Sequence, residues 1–356
     1  MPTDKQRLQW LDALRGFTMI MVVANHIATQ AFYQDPKLSA SLPFLLLFRM
    51  PLFFFISGFL AYKAGLVWNA RVLCDFSLKK IRIQLVPTAV FFMLYMVLIK
   101  PKFYVSLLET LHLPLKNGYW FTLVLLYMLL IYYVFCYIES KLRLPSWLPI
   151  TILLIISLCC YETCYLPRYF SWAQGYKGVP NDFMCYSSVM ELFRYFPFFL
   201  FGNIVHRYWT QAQRVMDSRW FFPLLIVLVI LSTMDVMKWH VLRMEWTIIP
   251  LTLAKLCLLT IVFMYFRHYQ DYFSQHTVVG CSLQYIGRRT LDIYLLHFFF
   301  IPNLPVIGTF FNEYKHNFVL DTTMSVAVAL LIVGFSIITS NILRISPLFK
   351  KYLFGR

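Results

Sequence analysis

Arg15 and His26 stand eleven residues apart in the stretch Arg15-Gly16-Phe17-Thr18-Met19-Ile20-Met21-Val22-Val23-Ala24-Asn25-His26. On an α-helix that separation of eleven, at about 100° per residue, returns the two side chains to nearly one face. At ~1.5 Å per residue it also sets His26 roughly 16 Å deeper along the axis. One stripe therefore carries a permanent cation and an imidazole. The imidazole reads in two ways: as a hydrogen-bonded core residue joining two helices, or as a general base, being the side chain that titrates nearest neutrality. Arg15 reads as part of such a site or as an interfacial residue that snorkels and sets topology. Asp12, three residues before Arg15, falls near the same stripe, as the arginine's orienting partner or as a helix N-cap.

These residues must be positioned by a chain of 356 residues that is 60% hydrophobic and 13% charged. The charged share is about half that of an ordinary soluble domain, which argues against a soluble globule. With 12 Gly and 17 Pro the chain is not fibrous or of low complexity. Ten apolar runs span residues 13–32, 43–62, 83–99, 119–138, 147–160, 186–205, 220–234, 246–266, 291–311 and 324–343, the fifth and seventh being short. A helix needs about 20 apolar residues to cross the hydrocarbon core, and the runs lack the alternation of β-barrel strands. The expectation is an all-α, polytopic integral membrane protein with about ten transmembrane helices. It forms one membrane domain over residues 1–356, with no internal repeat or Gly/Ser linker and an uncleaved first helix.

The net charge of +16 would suit nucleic acid only if the bases formed one face. They lie instead in clusters between the runs, so no nucleic-acid partner is expected and membrane lipid is. Of the 32 Lys and Arg, 20 fall on the side of the N-terminus, 11 on the other, and Lys255 within a run. By the positive-inside rule both termini are cytoplasmic, in a cell membrane such as the bacterial inner membrane. The eight cysteines show no metal-ligand spacing, so no metal is expected. Cys164 and Cys185 share an external loop, as a disulfide or as two thiols.

Several segments together carry a resemblance. Leu11-Asp12-Ala13-Leu14-Arg15-Gly16 followed by His26 resembles the signature of the membrane-bound acyltransferase-3 family. Arg49-Met50-Pro51-Leu52-Phe53-Phe54-Phe55-Ile56-Ser57-Gly58 resembles its Pro-Leu-Phe-Phe-Phe-x-Ser-Gly segment, and Leu291-Asp292-Ile293-Tyr294-Leu295-Leu296-His297 its late Tyr-Leu-Leu-His element. Tyr195-Phe196-Pro197-Phe198-Phe199-Leu200-Phe201-Gly202 fits as well.

The resemblance implies ten helices and transfer of an acyl group, usually acetyl, from cytoplasmic acyl-coenzyme A. The acceptor would be a hydroxyl of a sugar, a polysaccharide or a lipid-linked glycan precursor. Arg15 would hold coenzyme phosphates at the surface, a pantetheine's length from His26 as general base, and Asn25 would bind the acyl carbonyl, although it faces away from its neighbour His26. Lys79, Lys80 and Arg82, in the loop before the third run, would bind the coenzyme. The family often has two arginines three apart here, whereas this chain has Lys79 and Arg82, and lysine meets phosphate as a point charge rather than a fork. Arg288 and Arg289 form a second cationic candidate.

Other polar residues have plainer readings. Glu191 and Arg194, three apart, suit a helical ion pair, Lys255 and Asp292 suit a pair across helices, and His297 is a core residue or a support for the site. Acceptor contacts are assigned to Trp120, Glu191, Arg194 and Trp172. The two tryptophans are equally suited to an interfacial belt. Two other functions fit the same composition. One is a transporter or flippase using His26 and Lys255 as path residues, and the other is an inactive relative in envelope assembly.

Overall fold

The computed structural model describes residues 8–34, 39, 41–142, 144–163, 181–236, 248–274, 276–313 and 317–354. Of the described residues 84% are helical, and none of them lies in a strand. Helix α1, Gln9–His26, runs on through a wide π turn, Ile27–Ala31, and is followed by α2, Ser41–Ala61. A second π turn, Ile81–Leu85, joins α3, Ala70–Lys80, to α4, Val86–Ile99. Next come α5, Phe103–His112, α6, Trp120–Lys141, α7, Trp147–Thr163, α8, Asp182–Ser187, and α9, Val189–Arg207. The C-terminal part holds α10, Trp209–Met216, α11, Phe221–Val236, α12, Ile248–His268, and α13, Val278–Arg288. Then α14, Thr290–Leu296, passes into a 3₁₀ turn, His297–Phe299, before α15, Pro305–Glu313, α16, Phe318–Leu343, and α17, Pro347–Phe354.

Among the described residues five helices are long and apolar enough to cross a membrane: Leu42–Ala61, Ala70–Ile99, Trp120–Lys141, Ile249–His268 and Phe318–Leu343. A sixth is reached if Trp209–Met216 and Phe221–Met234, bent by 79°, count as one broken span. Several of the other runs are shorter or carry charge, as with Asp12 and Arg15 on α1, and Glu191, Arg194 and Arg207 on α9. Two expectations need correction. Lys79, Lys80 and Arg82 do not lie in a loop: they sit within the continuous helix Ala70–Ile99, because α3 is helical although too polar to register as an apolar run. The ninth run, 291–311, is not one helix. It breaks after Phe299, where Pro302 and Pro305 cannot supply the backbone donors a helix needs.

The chain divides into two compact units, Met1–Ile56 with Thr210–Asn341, and Ser57–Trp209 with Ile342–Arg356. In the first, α1 packs most extensively on α13. A Cβ at Gly16 would fall 2.0 Å from the Leu283 carbonyl oxygen, and one at Gly287 would fall 1.8 Å from that of Asp12. The two backbones touch, and only glycine fits on either side. Trp10 and Phe55 meet Phe263 of α12 edge-on at 5.2 and 5.0 Å. Asp321 of α16 accepts from Gln34 Nε2 at 2.8 Å and Ser39 Oγ at 2.6 Å, and Ser39 caps the Leu42 amide at 3.1 Å.

In the second unit the same device recurs where a Cβ at Gly58 would fall 1.8 Å from the Phe199 carbonyl oxygen. Asn203 Nδ2 donates to the Gly58 carbonyl at 3.3 Å and the His206 ring stacks on Phe59 at 4.2 Å. Arg207 holds Glu139 through two bonds of 2.6 and 2.7 Å.

Gly16→Ala or Gly287→Ala is expected to destabilise the fold by at least about 3 kcal/mol, beyond ordinary overpacking, because the obstacle is backbone. Gly334→Ala, with nothing within 4 Å of its added methyl, is the control. Thermal unfolding in detergent checks the difference.

Candidate active site

The stripe on α1 meets one partner element along its length. Arg15 Nη2 donates to Thr290 Oγ1 at 2.9 Å, and Arg15 Nη1 lies 3.5 Å from Asp12 Oδ1. Asp12 is thus the arginine's orienting partner, and the N-cap position is Leu8, with no side-chain cap. His26, the last residue of α1, is half-buried. Its ring centroid lies 5.3 Å from that of His297 and 5.2 Å from that of Phe298. The two stripe residues therefore touch Thr290 and His297, the first residue of α14 and the residue just past its end. The helical phase read from the spacing holds in the structure.

Around His26 the π turn brings back a polar side chain. The Gln30 amide lies 3.3 Å from His26 Nδ1, from four residues further on. Asn25 is buried, and its Oδ1 has no hydrogen-bond partner among the described residues. His297 is fully buried and donates from Nδ1 to the Ile293 carbonyl at 3.0 Å. Nearby, Asp292 Oδ2 accepts from Ser340 Oγ at 2.8 Å and faces Arg289 Nη1 at 3.3 Å.

Arg49 was counted among the external bases by sequence. It is buried inside α2, and its charge reaches His26. Its place within an apolar run was the one local signal, since a charge there needs a partner.

The cationic candidates separate. Arg288 is exposed, with Nε donating to the Gln284 carbonyl at 3.2 Å, whereas Arg289 is engaged by Asp292 and lies over the Tyr285 ring at 5.7 Å. Lys79, Lys80 and Arg82 belong to the other unit, with Lys79 and Arg82 exposed and Lys80 half-buried. In that unit Trp120 stacks on Tyr195 at 5.5 Å, and Arg194, the residue before Tyr195, pairs with Glu191 at 2.7 Å. Trp172 and Cys164 lie outside the described residues.

A family model described as an acyltransferase domain, of the acyltransferase-3 type, matches residues 8–343. The chain belongs to the acyltransferase-3 family. No curated protein and no solved structure matches it. The match takes in both units of the acyltransferase and every described candidate residue. Its apolar helices and its family make it a membrane protein. Chemically, the acyltransferase offers a half-buried imidazole in aromatic surroundings, and an arginine held on the same face by a carboxylate and a hydroxyl.

Thr290→Val, which keeps the shape but deletes the hydroxyl, is expected to cost about 1.5 kcal/mol, as for a bond to a charged group. Thr290→Ser should cost less than half of that. Unfolding of the two variants, compared in one detergent, decides it.

Proposed function

We propose that this acyltransferase moves an acyl group, acetyl in the simplest case, from acyl-coenzyme A to a hydroxyl of a sugar, cell-surface polysaccharide or lipid-linked glycan. The observation that carries the reading is the shared face of α1, with Arg15 at one end and His26 at the other, both against the α14 segment. Both termini are taken as cytoplasmic, so the donor enters at the Arg15 end.

In this reading Arg15 and exposed Arg288 meet coenzyme phosphate and the thioester reaches the imidazole, while Lys79, Lys80 and Arg82 are a separate cationic candidate for the donor. His26 removes the proton of the acceptor hydroxyl as its oxygen attacks the thioester carbonyl. The C–S bond then breaks and His26 returns the proton to the leaving sulfur. General-base help of this kind supplies roughly 10²–10⁴-fold, and fixing the reactants side by side adds to it. Asn25 Nδ2 is a donor for the carbonyl oxygen as charge develops there. Trp120, stacked on Tyr195, and the Glu191–Arg194 pair are assigned to the acceptor, because flat rings and paired charges suit sugar faces and hydroxyls.

The purified protein is expected to release free coenzyme A from acetyl-coenzyme A only when a hydroxyl acceptor is present. His26→Ala should lower that rate by at least about 100-fold while the protein remains folded in the membrane. Near-normal transfer in His26→Ala would remove the base from the mechanism.

The triple Lys79, Lys80, Arg82 alanine variant should raise the donor KM severalfold and leave the acceptor KM unchanged. An unchanged donor titration would assign the cluster to topology alone.

A further inference from the structure

His297 has no task in the mechanism above, yet its surroundings specify one. A carbonyl oxygen only accepts, so the 3.0 Å contact with Ile293 places the proton on Nδ1 and leaves the lone pair of the neutral ring on Nε2. That Nε2 is buried and has no hydrogen-bond partner among the described residues. A dry acceptor without a donor is costly in a protein interior, and such groups are rare.

The His26 ring lies beside it, its centroid 5.3 Å away and its plane tilted by 40°. Each imidazole nitrogen sits roughly 1.1 Å from its ring centre, so an N–H···N bond of about 3 Å needs centroids about 5.2 Å apart. The two rings already stand at that separation, and a change of ring orientation is enough to join them.

We propose that His297 is a positioning residue that receives the N–H of His26 once His26 is protonated. The proposal rests on His26 acting as the base. The acceptor O–H bond breaks and an N–H bond forms at His26 Nε2; that N–H then points at the lone pair of His297 Nε2. The other N–H of the imidazolium, at Nδ1, is met by the Gln30 amide turned to present its oxygen. The proton leaves His26 for the sulfur as the thioester C–S bond breaks, and His297 itself is never protonated. The other charged group that reaches His26 is Arg49 of α2.

Two substitutions separate this role from packing. His297→Asn keeps an N–H donor near the Ile293 carbonyl but deletes the acceptor at the Nε2 position, whereas His297→Gln puts an amide oxygen there. Carbethoxylation of His26 by diethyl pyrocarbonate in native membranes, followed against pH by peptide mass spectrometry, reads its protonation without any substrate. The midpoint is expected to move about one unit to lower pH in His297→Asn, because a hydrogen bond that favours the charged form has been lost. It should stay in place in His297→Gln. In parallel, kcat should fall about tenfold or more in the Asn variant with the donor KM within about twofold, and the Gln variant should recover most of the rate. His297→Leu serves in the same comparison if the Asn variant does not accumulate. An unmoved midpoint in the variants lacking the acceptor, or equal losses in Asn and Gln, overturns the pairing. A moved midpoint in a protein whose wild type transfers no acyl group supports the pairing and overturns the reaction.

Discussion

The site depends on a contact between two stretches of backbone. Where α1 crosses α13, Gly16 lies against the Leu283 carbonyl and Gly287 against that of Asp12, closer than any side chain would permit. In lipid the hydrophobic effect gives helices little reason to associate, and close van der Waals approach through small residues supplies the attraction instead. The crossing lies within one residue of Arg15. Because α13 passes into α14 with only Arg289 between them, fixing the first pair of helices also fixes where Thr290 and His297 stand along α1.

Polar groups then sharpen what the glycines locate. Among the described residues, each buried carboxylate of the first unit has named donors: Asp12 faces Arg15, Asp292 takes Ser340 and Arg289, and Asp321 takes Gln34 and Ser39. Most of these bonds join segments far apart in sequence. A shifted helix would leave a carboxylate in a dry environment without its donor, so the acids penalise wrong registers more than they strengthen the right one.

The stripe on α1 was legible because helical phase is a local property that eleven residues suffice to define. The Glu191–Arg194 pair was legible for the same reason. What was lost lay at the edges of the apolar runs or beyond local reach. Counting hydrophobicity hid the polar half of the helix that carries Lys79, Lys80 and Arg82, and it masked the break that Pro302 and Pro305 impose on the ninth run. The return of Gln30 to His26 depends on a π turn, a feature with no compositional sign. That Arg49 reaches His26 is tertiary, and a single sequence offers only the oddity of a charge among phenylalanines and leucines.

The first unit is assembled from two separate lengths of chain, Met1–Ile56 and Thr210–Asn341, and this has a consequence for biosynthesis. Helix α1, with Asp12, Arg15 and His26 on it, leaves the ribosome more than 250 residues ahead of Gly287, Thr290 and His297. In the interval the polar stripe has only its local partners, Asp12 beside Arg15 and Gln30 beside His26, and lacks Thr290 and His297. A nascent chain therefore holds its imidazole without the ring that completes its surroundings, and a chain cut short before α14 lacks the second histidine altogether. A helix that carries polar groups in lipid without those partners is costly, so such fragments hold α1 less firmly than the finished chain does.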